Sequence, residues 1–165
     1  MKVALFGATG LLGWSVGQAV LRRRYELIPY SGNGSDDLKG IGRVKPLSLS
    51  DDERLTRTLL DEWPDAIINC SAISSPDSVN ESPCESHALN VVATTRLAEI
   101  AAHLGARFLH VSSDMVFDGT QSPYRSTDTP NPLSEYGRQK LEAEKRVLAT
   151  TDENLVVLRV TLLNG

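Results

Sequence analysis

Hydrophobic and polar residues alternate along the chain in two repeating patterns. Short runs of mostly apolar residues predict strands, and longer stretches with apolar positions three or four residues apart predict helices. The predicted strands span residues 2–6, 25–30, 43–47, 66–70, 107–111 and 155–160. The predicted helices span a stretch from the Gly7–Gly13 segment to Arg24, then residues 51–63, 85–104 and 134–149. Strands and helices therefore alternate along most of the chain.

This alternation predicts an α/β fold with one domain spanning residues 1–165. Strands separated by helices form parallel pairs through right-handed crossovers, and the helices cover both faces of the sheet. We therefore expect a doubly wound, mostly parallel sheet of the Rossmann type, with strand order 3-2-1-4-5-6. Polar loops are predicted over residues 71–82 and 115–133. A long ordered loop such as the second is usually functional.

A glycine-rich turn joins the first strand to the first helix. Gly7, Gly10 and Gly13 are spaced Gly-x-x-Gly-x-x-Gly, whereas the commonest dinucleotide motif is Gly-x-Gly-x-x-Gly. Such a turn presents backbone N–H groups and the positive end of a helix dipole to a pyrophosphate. A phosphate loop is excluded because Trp14 and Ser15, not Lys and Ser/Thr, follow the last glycine. The predicted cofactor-binding residues of the turn are Gly7, Thr9, Gly10, Leu11, Leu12 and Gly13. The alternative is a tight connection with no ligand.

The end of the second strand predicts which dinucleotide binds. A carboxylate at this position accepts hydrogen bonds from the ribose 2′-hydroxyl of NAD and repels the 2′-phosphate of NADP. This chain has Ser31 there, and its first carboxylate, Asp36, comes later. We therefore expect NADP or NAD as the cofactor, with a slight preference for NADP and with Ser31 in the binding site.

Composition and charge argue against several classes of function. The net charge is -4, and the basic triplet Arg22-Arg23-Arg24 closes a predicted helix, where cations complement the dipole. We therefore expect no nucleic-acid partner. No stretch approaches the ~20 apolar residues of a membrane helix, and the two cysteines and three histidines lack metal-ligand spacing. A cytoplasmic protein with no membrane association and no metal is expected.

Three polar residues carry the candidate chemistry. Tyr136 and Lys140 are four apart, so they project from one face of a helix, and a nearby ammonium would lower the pKa of the phenol. Ser113 ends a predicted strand, at the edge where open α/β sheets bind ligands, and its hydroxyl could polarise a carbonyl oxygen. Tyr-x-x-x-Lys alone is common on solvated helices, so a structural role is the alternative.

In combination and in this order, the glycine turn, Asn90, Ser113 and the Tyr136/Lys140 pair resemble the extended short-chain dehydrogenase/reductase superfamily. The segments 112–119 (SSDMVFDG) and 136–142 (YGRQKLE) are similar to motifs of its dTDP-4-dehydrorhamnose reductase branch. The segments 64–65 (PD), 68–72 (INCSA) and 158–159 (LR) also resemble segments of that branch.

The resemblance implies reduction of a nucleotide-linked 4-keto sugar by NADPH or NADH. It makes Tyr136 the general acid and a cofactor-binding residue, and it gives Lys140 the roles of holding the nicotinamide ribose and tuning Tyr136. It makes Ser113 the residue that orients the substrate carbonyl. The loop around Ala72 is implied to line the cofactor. Asn90 is implied either to join a proton relay or to satisfy neighbouring backbone groups.

The same branch includes the regulatory beta subunit of methionine adenosyltransferase, so a non-catalytic dinucleotide-binding subunit is the alternative function. Family members continue beyond the strand at residues 155–160, so the C-terminal substrate-binding lobe is expected to be absent from this chain. We therefore expect it to bind a dinucleotide without efficient turnover. The last strand should leave apolar surface exposed, which favours a homo-oligomer.

Overall fold

The computed structural model describes residues 1–32, 34, 37–150 and 153–161, and its centre is a six-stranded parallel sheet. The strands are β1 (Lys2–Phe6), β2 (Glu26–Ser31), β5 (Lys45–Pro46), β6 (Ala66–Asn69), β7 (Arg107–Ser113) and β8 (Leu155–Val160). Their order is β5-β2-β1-β6-β7-β8. Numbered within the sheet, this is 3-2-1-4-5-6, so the predicted doubly wound α/β fold is confirmed. A separate antiparallel pair is formed by β3 (Asp37–Leu38) and β4 (Gly42–Arg43).

In the described residues, six α-helices connect the strands. They are α1 (Leu11–Arg22), α2 (Asp52–Glu62), α3 (Pro76–Glu81), α4 (Pro83–His87), α5 (Thr94–Leu104) and α6 (Glu135–Ala149). A π-helical segment, Ala88–Ala93, joins α4 to α5, and a 3₁₀ turn, Asp114–Val116, follows β7. Side-chain caps begin α2 and α6, where the Asp51 carboxylate accepts from the Arg54 N–H and the Ser134 hydroxyl accepts from the Gly137 N–H.

Several predicted elements differ from the structure, among them the helix predicted over 85–104, which is divided into α4, the π-helical segment and α5. The strand predicted over 43–47 is divided, because β4 pairs with β3 and only Lys45–Pro46 joins the sheet, where Pro46 has no N–H to donate. The loop predicted over 71–82 contains α3, which Ser75 caps and Pro76 begins. The strand predicted over 107–111 continues to Ser113, because β8 pairs with β7 as far as Val160.

The sheet separates two apolar clusters of unequal size. The larger cluster packs α2, α5 and α6 against one face and includes Leu59, Leu97 and Phe108. The smaller cluster lies under α1, where Val20 packs with Val3 and Ala66. No helix in the described part of the chain is long and apolar enough to cross a membrane.

The last strand exposes apolar side chains on one face of the sheet. Leu155 and Val157 pack against the larger cluster, so the alternating residues Val156 and Leu158 point to the opposite face. These two side chains are 52% and 48% exposed. The expected apolar surface is therefore present, and self-association stays a prediction.

Candidate functional site

The glycine turn is built for close backbone approach. A side chain on Gly13 would overlap the carbonyl oxygen of Gly7, so α1 can leave β1 this tightly only with glycine there. Gly7 has φ +76, and a Cβ on it would lie 2.8 Å from the backbone of Cys70 and Ser71. Gly10 is the N-cap of α1, and none of the described side chains caps that helix end. The turn therefore leaves the first N–H groups of a twelve-residue helix available to an anion.

A cleft of about 630 Å³ opens beside this turn, at the carboxyl ends of the strands. It is lined by the glycine turn, the end of β2, the segment after β5, the loop after β6, and two residues of α4 and the π-helical segment. Of the predicted cofactor residues, the cleft walls include Gly7, Thr9, Gly10, Ser31 and Ala72. Leu11, Leu12 and Gly13 begin α1 just behind the turn. The shape and the backbone chemistry fit a dinucleotide.

Lys140 is buried on α6, with 1% of its surface exposed. Its Nζ donates to the carbonyl oxygen of Val111 over 2.6 Å and lies 3.2 Å from Nε2 of His110. Burial lowers the pKa of Lys140 to about 8, against the opposing effects of Glu144 and Cys70. The ammonium therefore loses its proton more easily than an exposed lysine does.

Tyr136 lies one turn before Lys140 and is partly buried. Burial raises the pKa of its phenol, and the negative charge of Asp114 raises it further. This direction is opposite to the lowering expected from Lys140, because burial and a carboxylate both disfavour the phenolate. Tyr136 is thus held in its protonated form, which suits a proton donor rather than a base.

Ser113 sits where β7 meets the 3₁₀ turn, and it is 8% exposed. Its Oγ accepts from the Met115 N–H and donates to the Asp114 carboxylate, each over 3.2 Å. The first turn of α6 packs directly on this segment, since a side chain on Gly137 would overlap the carbonyl oxygen of Met115. Gly137 therefore lets the helix that carries Tyr136 approach the turn that carries Ser113.

Asn90 makes structural contacts from the π-helical segment, where it is fully buried. Its Oδ1 accepts from the Ile73 N–H, and its Nδ2 donates to the Ile73 carbonyl and to Oε1 of Gln139. Gln139 in turn donates to the Ser86 hydroxyl. Asn90 therefore ties the loop beside Ala72 to α6, which favours the structural alternative over a proton relay.

The loop after the 3₁₀ turn is organised by Asp118. Its carboxylate accepts four hydrogen bonds, from the N–H and hydroxyl of Thr120, the Tyr124 hydroxyl and the Asn131 amide. These donors lower the pKa of Asp118, since they favour its charged form. The Tyr124 ring also stacks on Phe117 with centroids 4.2 Å apart. The predicted long loop is therefore a folded unit.

An ion pair connects this loop to α6. Arg159 of β8 binds the buried carboxylate of Glu144 through Nε at 3.0 Å and through its terminal nitrogen at 2.6 Å. The guanidinium also lies 5.0 Å from the ring centroid of Phe117. Arg159 therefore joins the last strand, the Lys140 helix and the Asp118 loop.

Sequence reasoning missed His110, Gln139, Asp118 and Glu144 as parts of this region. A signal existed for His110, because it alternates with Phe108 and Ser112 on one face of the predicted strand. Gln139 depends on contacts with Asn90 and Ser86, 49 and 53 positions away, whereas the partners of Asp118 and Glu144 lie within 13 and 15 positions. Among the described residues, no group of three or more His, Cys, Asp or Glu side chains could hold a metal ion.

Comparison with known proteins finds a matching family model and related proteins. A family model described as RmlD substrate binding domain matches residues 1–165. Methionine adenosyltransferase 2 subunit beta of Bos taurus is 38% identical over 99% of this chain and 47% of its own length. A dTDP-4-dehydrorhamnose reductase of Burkholderia thailandensis is 32% identical over 91% of this chain and 46% of its own length.

The fold is also similar to that of solved structures. A dTDP-4-dehydrorhamnose reductase from Bacillus anthracis, solved in complex with NADP, has a TM-score of 0.84, 21% identity, and a match covering 97% of this chain and 53% of that chain. At that identity the likeness shows the fold alone. The chain spans about half the length of the curated relatives it matches.

Proposed function

The chain belongs to the RmlD substrate binding domain family, and from that membership we propose that it is the dinucleotide-binding part of a nucleotide-sugar reductase. The reaction is the reduction of a nucleotide-linked 4-keto sugar to the alcohol. A bound NADPH or NADH supplies the hydride that the carbonyl carbon accepts. The remaining substrate contacts are proposed to lie outside these 165 residues, since the relatives are about twice as long.

One observation carries the proposal. The first two turns of α6 present a partly buried Tyr136 and a fully buried Lys140, and Gly137 seats them against the turn that follows Ser113. In the proposed reaction the Tyr136 hydroxyl donates its proton to the carbonyl oxygen as the hydride arrives. The raised pKa keeps the Tyr136 phenol protonated at neutral pH, so it has a proton to donate. A general acid works best with a pKa near the working pH, so the proposal rests on the position of Tyr136 and not on this shift.

The other residues have supporting roles in the proposal. The Ser113 hydroxyl orients the carbonyl oxygen, which requires it to exchange its present hydrogen bond to Asp114 for one to the substrate. Lys140 donates to a ribose hydroxyl of the cofactor. Gly7, Gly10 and the start of α1 hold the pyrophosphate, while Ser31 faces the adenosine ribose.

The cofactor is proposed to be NADPH at least as readily as NADH. β2 ends at Ser31, which lines the cleft and carries no negative charge to repel a 2′-phosphate. Asp36 lies outside the described residues. Calorimetric titration with both nucleotides tests this preference, and binding of NADH more than tenfold tighter than NADPH would contradict it.

The experiment for the reaction is a keto-sugar reduction assay on a protein that carries this chain. Tyr136→Phe should lower turnover by about 10²- to 10⁴-fold, the usual contribution of general acid catalysis, and should leave NADPH affinity nearly unchanged. Tyr25→Phe is the matched control, because Tyr25 packs in the small cluster under α1. Equal turnover of the wild type and Tyr136→Phe would exclude Tyr136 as the acid.

A second candidate function is a regulatory subunit that binds a dinucleotide without reducing a substrate. The observation that favours it is the 38% identity to a methionine adenosyltransferase 2 subunit beta. This function predicts NADPH binding, no keto-sugar turnover at any protein concentration, and copurification with a methionine adenosyltransferase catalytic subunit. Measurable keto-sugar turnover that depends on Tyr136 would exclude it.

A further inference from the structure

His110 lies in the middle of β7, opposite Asn69 of β6 and Val157 of β8, and none of its surface is exposed. Its Nε2 is 3.2 Å from the Lys140 ammonium. Its Nδ1 makes no hydrogen bond with any residue in the described part of the chain. A fully buried imidazole with one ring nitrogen directed at a buried lysine is unusual enough to require an explanation.

When Lys140 is charged, the donors and acceptors of this contact have one consistent arrangement. A lysine ammonium has three N–H donors and accepts nothing, so the His110 Nε2 must offer its lone pair. The proton of the neutral ring then resides on Nδ1. Burial and then the Lys140 charge lower the pKa of His110 well below its usual value, which agrees with a neutral ring. Two of the three N–H groups of the ammonium therefore donate to the Val111 carbonyl oxygen and to the His110 Nε2.

No free counter-ion competes for the ammonium among the described groups around it. Glu144, one turn later on α6, is already paired with Arg159 of β8. Burial raises the pKa of the Cys70 thiol beside β6 to about 11, so this thiol is neutral near pH 7. The Tyr136 phenol is also neutral, because its pKa is raised.

We propose that His110 is a positioning residue for Lys140, because its Nε2 and the Val111 carbonyl oxygen fix the ammonium between β7 and α6 and leave one N–H for a ligand. The contact between His110 and Lys140 depends only on the geometry of β7 and α6. The assignment of the remaining N–H to a cofactor ribose rests on the proposed function. In this arrangement the lysine offers a single directed donor rather than a mobile charge.

Nuclear magnetic resonance of the 165-residue chain tests the contact without any ligand. In protein labelled with ¹⁵N-histidine, the His110 ring should be neutral at pH 7, with the proton on Nδ1 and the lone pair on Nε2. A proton on Nε2 would overturn the proposal. This measurement uses the wild-type chain, so its result does not depend on whether a variant with a substitution in the core folds.

The pH titration of the Lys140 side chain provides the second test, with its signal assigned from Lys140→Arg. The wild-type midpoint should be about 8. His110→Gln keeps an acceptor near the Nε2 position, so its Lys140 midpoint should stay close to that of the wild type. His110→Phe removes the acceptor and should lower the midpoint by roughly one pH unit or more, because a hydrogen bond to a charged group is lost. Equal midpoints in the wild type and His110→Phe would overturn the proposal.

Calorimetry with NADPH separates this inference from the proposed function. At pH 7.5 His110→Phe should bind NADPH about threefold more weakly or worse, since a smaller fraction of Lys140 is charged, and His110→Gln should restore the affinity. Absence of NADPH binding to the wild type would refute the proposed function while the resonance measurements still decide the His110 contact. Equal NADPH affinity of the wild type and His110→Phe would overturn the role of His110 in ligand binding.

Discussion

Replacing Lys140 with Met tests whether a lysine is held in the protein core. Methionine keeps a similar unbranched length and removes the ammonium, whose Nζ contacts Val111 and His110. The pKa of Lys140 is lowered from 10.5 to about 8, mainly by burial. The folded protein therefore binds fewer protons than the unfolded chain between about pH 8 and 10.5.

The sign of the effect follows from proton linkage. Stability rises with pH wherever the unfolded state binds more protons, so wild-type stability should increase from about pH 8 upwards relative to Lys140→Met. Below pH 8 both states carry the proton, and the full cost of burying the charge remains. From the pKa values of 10.5 and about 8, the difference in unfolding free energy between the two proteins should change by about 2 kcal/mol from pH 7 to pH 9.5.

Urea unfolding at these two pH values, followed by far-ultraviolet circular dichroism, measures this difference. Burial raises the pKa of Cys70 to about 11, so this thiol stays mostly protonated in the folded protein at both pH values. Lys145→Met is the matched control, because Lys145 is exposed on the same helix. If the unfolding free energies of Lys140→Met and Lys145→Met changed with pH in parallel, within about 0.5 kcal/mol, Lys140 would not be a buried ammonium.

Two further predictions concern the glycine turn and the contacts of the π-helical segment. Gly13→Ala should lose about 1–3 kcal/mol in thermal melts, because its Cβ overlaps Gly7, whereas Gly10→Ala, with a contact of 3.4 Å, should melt close to the wild type. A Gly13→Ala protein as stable as Gly10→Ala would contradict the packing of the turn. Asn90→Ala and Gln139→Ala should each lower the free energy of unfolding in urea by about 1–3 kcal/mol, because each substitution leaves the remaining side chain of the pair without its partner. The double variant should therefore lose at least about 0.5 kcal/mol less than the sum of the two single losses. Strictly additive losses would show that the two side chains do not share one network.

The sequence predicted the strand order because that order depends on local signals. Buried runs such as Ala66–Asn69 and the glycine turn identify strands and their connections without any knowledge of distant contacts. The helix α3 was missed although Ser75 and Pro76 form a standard start, because its few apolar residues gave no helical period. The third strand was predicted too long, because the apolar pattern over 43–47 does not show that Gly42–Arg43 pairs with Asp37–Leu38 outside the main sheet.

The candidate site was predictable only in part, because burial and contacts between distant residues do not appear in the local sequence pattern. Ser113, Tyr136 and Lys140 were identified from a pattern of residue types in order along the chain. The direction of the Tyr136 pKa was wrong, because the spacing to Lys140 says nothing about burial or about Asp114. His110 contacts Lys140 across thirty positions, so no local pattern could reveal the pair.

The order of the loop held by Asp118 affects how fast a ligand binds and how much conformational entropy is lost on binding. Its carboxylate, the Phe117–Tyr124 stack and the Arg159 contact fix the segment before any ligand arrives. A segment that is already ordered loses little conformational entropy on binding, so most of the contact energy remains as affinity. This loop therefore behaves as a fixed surface, and a ligand that meets it needs no closing motion there before it is bound.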